Sequence, residues 1–429
     1  MGRVAVFQGR AGVVTDVGGP PATGPITRGS VARVGVATAL TALCGYAVLY
    51  LAARDLEPEG FSVFGVFWGA FGLVTGAANG LLQEATREVR SAQSTDVAVG
   101  PRTHPMRVAA MVGVVAALVI AGSSPLWSSH VFVESPWLSV VLLSVGLAGF
   151  CVHATLLGML AGVNRWTQYG SLMVTDAGIR VAVAAATFVV GWGLVGYLWA
   201  TVAGAVAWLL MVLASPAARA AARLLTAGGA VTFLRGAAHS ITAAGASAIL
   251  VMGFPVLLKA TSGDLGAAGG VVILAVTLTR APLLVPLTAM QGNLIAHFVD
   301  QRDERLRALV APAAVVVGLG LVGVVAAGLL GPWLLRAAFG PEYRADGALL
   351  AWLTAAAVAI ALLTLTGAAT VAAALHRAYA LGWVGATVAS VLLLLLPVSL
   401  ETRTVVALLC GPLVGIAVHL AALARGPAG

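Results

Sequence analysis

Lysine occurs once in the 429 residues, at Lys259, and charged residues of every kind make up only 9% of the chain. Soluble chains carry about 25% charged residues, so a soluble enzyme or binding module of this length is excluded. Cysteine is almost as scarce. Cys44, Cys151 and Cys410 each stand alone in an apolar run, with neither metal-ligand nor redox spacing between them, and read as packing residues. Walker sequences, zinc-ligand spacings and G-x-S-x-G are missing too, which leaves no ATPase, metalloenzyme or serine-hydrolase mechanism to assign. No metal and no cofactor is expected, and the chain is not read as an enzyme.

What the sequence has is hydrophobic residues, 60% of the total, with a mean hydropathy of +1.00. It is read as an integral membrane protein. The formal charge of +8 would suggest nucleic acid in a soluble chain. Here it reports orientation, and nucleic acid is not an expected partner.

Residues 1–30 are rich in Gly, Pro and Thr without helical period and are expected to be a disordered cytoplasmic tail, not a cleavable signal peptide. Spanning a bilayer takes about 20 apolar residues. Twelve runs are long enough, at roughly 34–53, 61–82, 108–127, 137–163, 167–190, 192–213, 238–258, 266–290, 309–331, 347–373, 378–399 and 404–424. With the N-terminus inside, 17 basic residues flank the spans on the cytoplasmic side and 5 on the outside, the latter being Arg54, Lys259, Arg336, Arg344 and Arg403. Basic flanks are retained inside, so both termini are expected in the cytoplasm. The rings of Trp127, Trp137, Trp192, Trp333 and Tyr343 are expected at the outer interface. The outside loops are short, which weighs against polytopic glycosyltransferases, polymerases and ligases, whose chemistry needs a sizeable outer loop.

Six spans, an Ala/Arg-rich inside segment and six more spans suggest a duplication. The expected organisation is an N-lobe over 31–214 (helices 1–6), a cytoplasmic inter-lobe linker over 215–237, and a C-lobe over 238–429 (helices 7–12). Phe61-Ser62 pairs with Ala268-Gly269, and Glu134-Ser135-Pro136 with Pro341-Glu342, both at offsets near 207. Asn164-Arg165 pairs with His376-Arg377 at 212. Halves of six spans have the same orientation, so the axis relating them runs along the membrane normal, with a substrate cavity between them.

The stretch Ala53 to Phe61, then span 2, then Ala85-Thr86-Arg87-Glu88-Val89-Arg90, resembles the opening of the Wzx-like polysaccharide or O-antigen flippases of the multidrug/oligosaccharidyl-lipid/polysaccharide exporter superfamily. Phe339 to Ala345 resembles the short outside helix before span 10 in that family, and Gly162 to Arg165 and His376-Arg377 its inside turns. Glu57 and Ser62 stand where the family usually has glycine. The resemblance implies an all-α bundle of two six-helix lobes, alternating access, and a substrate with a polyprenyl tail and an anionic sugar-diphosphate head. Membrane lipids and other membrane proteins of glycan assembly are the implied partners. The rival expectations are a cation-coupled multidrug exporter or lipid II flippase of the same superfamily, and a non-transporting membrane protein of glycan assembly.

Ionisable groups inside the bilayer cost on the order of 3 kcal/mol on insertion scales, so each one marks a pair or a wet cavity. Asp176 and Arg180 are spaced i,i+4 in span 5, and read either as a structural clamp or as a coupling-ion site. Arg280 stands in span 8 ahead of Pro282 and Pro286. It reads as a cavity ligand for a diphosphate, whose oxygens suit its planar fork, or as the partner of an acid on another helix, with Asp176 the obvious candidate. In the resembling family spans 1, 2, 7 and 8 line the cavity, so Arg33, Arg87 and Arg280 would form a cationic vestibule; the alternative is anchoring at the inner surface together with Arg90. His239 could titrate as a gate or be a satisfied interfacial residue. Glu84 and Asp176 are the candidate carriers of a coupling ion.

Overall fold

The computed structural model describes residues 28–94, 101–132, 134–290, 294, 297–299, 301 and 305–425. The expected tail over 1–30 lies almost wholly outside the described residues. The first helix, α1 (Arg28–Ser94), runs for 67 residues. A straight helix of that length would be about 100 Å long, three times the apolar thickness of a bilayer. It is broken at Glu57 (φ 53, ψ 175), immediately before Pro58, whose missing N–H cannot continue the helical ladder. The two arms, 28–56 and 58–94, are spans 1 and 2.

The chain continues through α2 (Pro105–Ser123), α3 (Pro136–Gly162), α4 (Trp166–Val190), α5 (Gly193–Ala203) and α6 (Ala207–Ala214). A 3-10 turn over Gly204–Val206 divides α5 from α6 within span 6. The linker is partly helical: Ser215 caps α7 (Pro216–Ala222) by accepting from the Ala218 amide at 3.3 Å. Arg102–Thr103 (β1) then pairs antiparallel with Thr226–Ala227 (β2). Span 7 starts earlier than its apolar run, at α8 (Ala230–Val251), and bends by 61° into α9 (Phe254–Ser262). The C-lobe follows as α10 (Gly266–Ala289), α11 (Arg305–Phe339), α12 (Gly347–Ala372), α13 (His376–Leu394) and α14 (Leu400–Arg425). Among the described residues ten helices are long and apolar enough to span, eleven with the bent pair. Dividing α1 at Glu57 brings the number to twelve.

Each lobe is built around its fourth span. α3 and α12 are the most enclosed helices, with 72% and 61% of their apolar windows buried. The turns that end them are superimposable in pattern. Asn164 (φ 58) and Ala374 (φ 60) take left-handed conformations 210 residues apart. Around them Arg165 N–H donates to Leu160 O at 2.8 Å and Leu375 N–H to Thr370 O at 2.9 Å, closing the same helix-ending motif. The register of the repeat is therefore 210, which corrects the 212 read from Asn164-Arg165 and His376-Arg377.

The lobes meet along span 2. Gly65, Gly69, Gly72, Gly76 and Gly80 recur every three or four residues and form one face of the helix. A Cβ built on the first four would come within 2.7–3.2 Å of Ile273, Pro255, Met252 and Ala248, and one on Gly80 would overlap the Ser240–Ile241 backbone. Only glycine allows this approach of helix to helix.

Two expectations near the loops are corrected. Phe339 is the last residue of α11, and Gly340 to Asp346 form a turn, so no separate outer helix precedes span 10. Tyr343 is 1% exposed, unlike the exposed Trp137, Trp192 and Trp333. It packs edge-on against Phe61 at 6.2 Å and against Phe339 at 6.0 Å, because the turn folds it inward between the lobes.

Candidate functional site

Both arginines inside the spans sit opposite an interrupted helix. The break at Met252-Gly253 ends α8 and leaves its last carbonyls without helical donors. Arg280, in the middle of α10 and 7% exposed, donates from Nη1 to Val251 O at 3.1 Å. Its guanidinium carbon lies 5.3 Å over the Phe254 ring, the first residue of α9. A cation at a helix C-terminus is favoured by the peptide dipoles, and a ring face adds to it where water is excluded. Nη2 of Arg280 is buried without a partner. Asp176 is not that partner; the acid bonds elsewhere.

Asp176 pairs with Arg180 on its own helix, Oδ1 accepting from Nη2 at 3.0 Å and from Nε at 3.3 Å. The remaining arm of Arg180 donates to Thr201 O at 2.6 Å, in the last turn of α5 before the 3-10 interruption, and its guanidinium lies 5.2 Å over Phe71 of span 2. The pair thus ties spans 2, 5 and 6 together. Gly204 must lack a side chain here, since a Cβ would overlap the Asp176 carboxylate. His153 of α3 is buried nearby, stacked on Phe150 at 5.3 Å, with Nδ1 unpartnered.

Glu84 is 2% exposed and holds Arg87 in a bidentate pair, with Oε1 to Nη2 at 2.6 Å and Oε2 to Nε at 3.0 Å. Its carboxylate lies against the backbone of Gly236 in α8, where no Cβ would fit. Arg87 also meets Glu88 at 2.7 Å. One arginine between two carboxylates carries no net positive charge into a vestibule. Arg33 is exposed on the first arm of α1, where that arm faces Gly170 of α4. His239 is exposed and its Nδ1 donates to the Arg235 carbonyl at 2.8 Å on its own helix. Each of Arg87 and Arg280 is thus engaged with groups of its own surroundings, and no contact links Arg33, Arg87 and Arg280 among the described residues.

Sequence reasoning missed a second polar site, at the end of the bundle that carries Glu57. A cavity of about 150 Å³ is lined by Glu59 and Ser62 of span 2, by Glu134, and by Lys259, Asp264 and Gly266 between spans 7 and 8. Lys259 is 7% exposed. The signal for it was the single lysine of the chain, which counting basic flanks treats as one more loop charge. Also missed was His419 of α14, fully buried, whose Nε2 donates to Tyr379 O at 3.2 Å while Nδ1 lies 3.0 Å from the Thr366 hydroxyl.

Among proteins compared with this chain, "Uncharacterized protein Rv3630" of Mycobacterium tuberculosis strain H37Rv is 78% identical over 403 residues, covering 94% of each chain. The chain belongs to this mycobacterial family. A second relative in the same strain, "Uncharacterized protein Rv1510", is 75% identical over 419 residues, or 97% of each. No family model matches. Among solved structures, the inward-facing conformation of a multidrug resistance MATE family transporter of the MOP superfamily aligns with a TM-score of 0.69. It is 15% identical and the match covers 92% of this chain and 98% of that one. An outward-facing conformation of such a transporter gives 0.63 at 16% identity, covering 92% and 96%. The fold of the family is thus the two-lobed, twelve-helix fold of these transporters.

Proposed function

We propose that the protein is a transporter of the cytoplasmic membrane that moves an amphipathic substrate outward by alternating access between its lobes. The observation that carries this reading is the uneven closure of spans 1 and 8. On α1, Val48, Leu49, Ala52 and Ala53 near the Glu57 end are buried, whereas Thr38, Thr41, Ala42 and Gly45 on the same face toward the other end are only half-buried. On α10, residues Val271 to Val276 are buried, whereas Pro282, Pro286 and Thr288 are exposed. Phe61 on Tyr343 and Tyr50 on Phe339, at 5.7 Å, cover the closed end. Spans 2 and 7 stay packed along their length, so the difference lies on the side of spans 1 and 8, and lobes sealed there at one end and less covered at the other present a site to one side of the membrane at a time. The arginine count assigns the closed end to the outside, so loading is from the cytoplasm.

Two substrate readings follow. Export of an amphipathic organic solute coupled to a cation draws support from the likeness to multidrug transporters and from the neutralisation of Arg87 by Glu84 and Glu88. Asp176 or Glu84 would carry the coupling proton or sodium ion. Flipping of a polyprenyl-diphosphate-linked glycan draws support from the unpartnered Nη2 of Arg280, a buried donor suited to a phosphate oxygen, and from the motifs around spans 2, 4 and 10. Its tail would stay in lipid, and other glycan-assembly membrane proteins would supply and receive it.

Deleting the gene in its own host separates these readings. Lipid-linked oligosaccharide on each leaflet would be measured by mass spectrometry with a membrane-sidedness probe, alongside tolerance to amphipathic drugs. Accumulation on the inner leaflet, reversed by the wild-type gene, supports the flippase. An unchanged lipid pool with lowered drug tolerance supports the exporter, and no change in either defeats both.

A further inference from the structure

The cavity at the Glu57 end is lined by a largely buried lysine. Lys259, on α9 of the C-lobe, is more than nine-tenths buried, and among the described residues its ammonium makes no ion pair or hydrogen bond. Three carboxylates line the same cavity. Glu59 and Glu134 come from the N-lobe and Asp264 from the C-lobe, all three side chains exposed at the rim. The cavity therefore lies across the seam between the lobes, with room for a few waters between its charges. Below it the seam is dry and tight, with Gly65 against Ile273 and Gly270 against the Pro58 carbonyl.

We propose that Lys259 is the charge that keeps this outer seam shut: an electrostatic latch, reaching from the C-lobe toward Glu59 and Glu134 of the N-lobe through the water of the cavity. Without it three carboxylates face one another across the seam, and like charges so placed repel. With it, the attraction across the seam is opposed by the cost of confining the ammonium in a narrow cavity with few waters and no direct partner, which is regained when the seam opens and Lys259 is fully hydrated. The two terms oppose each other at the same atom. Such a latch holds without locking, as a carrier that must reopen requires. Arg54 of span 1 also reaches the C-lobe, at Gly340, but it is exposed; Lys259 is the cation that lines this cavity.

The inference rests on the alternating-access reading, and the experiment keeps the two apart. In a variant with the native cysteines replaced, Ser62→Cys at the cavity and Thr288→Cys on the exposed part of α10 would each be labelled with a membrane-impermeant maleimide, in right-side-out and inside-out vesicles. Lys259→Glu is expected to raise the labelling rate at position 62 by roughly tenfold from outside. Lys259→Gln would raise it less, and adding Glu59→Lys to Lys259→Glu would bring it back toward the parent rate. Gly65→Leu serves as a charge-independent wedge, since even a Cβ there would lie 2.8 Å from Ile273. If the wedge raises labelling at 62 and lowers it at 288 while the Lys259 variants label like the parent, the latch is overturned and alternating access stands. If labelling at 62 follows the Lys259 charge but position 288 never responds, the latch stands as a static seal and the alternating-access reading is lost. Loss of protein with Lys259→Glu that is not restored by Glu59→Lys, together with parental labelling in Lys259→Gln, also counts against the latch.

Discussion

Arg280 donates to the carbonyl of Val251 across 3.1 Å, joining the middle of span 8 to the point where span 7 breaks. Arg180 does the same for Thr201 at the interruption of span 6. In both cases a guanidinium from another helix donates to a carbonyl beside the interruption, and at span 7 it takes up the duty of the missing amide.

Arg280→Ala should therefore destabilise the fold as well as affect transport. Loss of a hydrogen bond from a charged donor to a buried carbonyl costs about 1.5–3 kcal/mol. A lower melting temperature in detergent is expected, with Arg280→Lys falling between the two because a single ammonium cannot both reach Val251 and stack on Phe254. Unchanged melting for the alanine variant would mean that the break needs no cap.

The ion pair in span 5 should be costly to break from one side. Asp176→Asn leaves the half-buried Arg180 with its charge uncompensated, and removing one member of a fully buried pair costs about 3–5 kcal/mol, the upper limit here. Replacing both with apolar residues, as in Asp176→Leu with Arg180→Met, should recover part of that loss in thermal melts. A folded double variant that no longer transports would assign Asp176 a coupling role beyond the clamp.

Gly80→Ala should part spans 2 and 7, because its methyl group would overlap the backbone at Ser240–Ile241. Overpacking of this kind costs roughly 1–3 kcal/mol. Gly245→Ala is the matched control: its Cβ meets Ala77 at 3.4 Å, an ordinary contact, and its melting temperature should stay near that of the parent.

Glu57→Gly should stabilise the protein. At φ 53 and ψ 175, Glu57 holds a conformation that side chains resist, at a cost of order 1 kcal/mol or more. A rise in melting temperature without change in topology is the expected result, and a fall would show that the Glu57 carboxylate makes up for its backbone. The glycine usual at this place in the resembling flippases is explained by the same geometry.

The spans were legible because a bilayer demands long apolar runs, and a run such as 137–163 has no other use. The breaks in spans 6 and 7 were not. Gly204 is unremarkable locally, whereas at span 7 a local signal was passed over: Pro255 has no N–H to give to Val251 O, and Arg280 from another helix takes up that carbonyl. Arg87 shows the opposite case. Its pairing with Glu84 was written in the i,i+3 spacing, yet a motif-based reading of Arg87 as a vestibule charge passed over the acid beside it. Lys259 was visible as a composition oddity, but its burial depends on the packing of α9 against span 2, which no local pattern announces.

The corner at Glu57 also bears on how the protein is made. Spans 1 and 2 are joined through one non-helical residue, so no loop can be paid out between them during insertion. With the Glu57 end outside, as proposed, they would enter the bilayer together as a closed hairpin, carrying Arg54, Asp55, Glu57 and Glu59 across at its tip. At roughly 3 kcal/mol per charge the tip opposes entry by on the order of 10 kcal/mol. The apolar residues of both arms must supply this jointly, which makes some sixty residues the smallest piece of the chain that can begin to assemble.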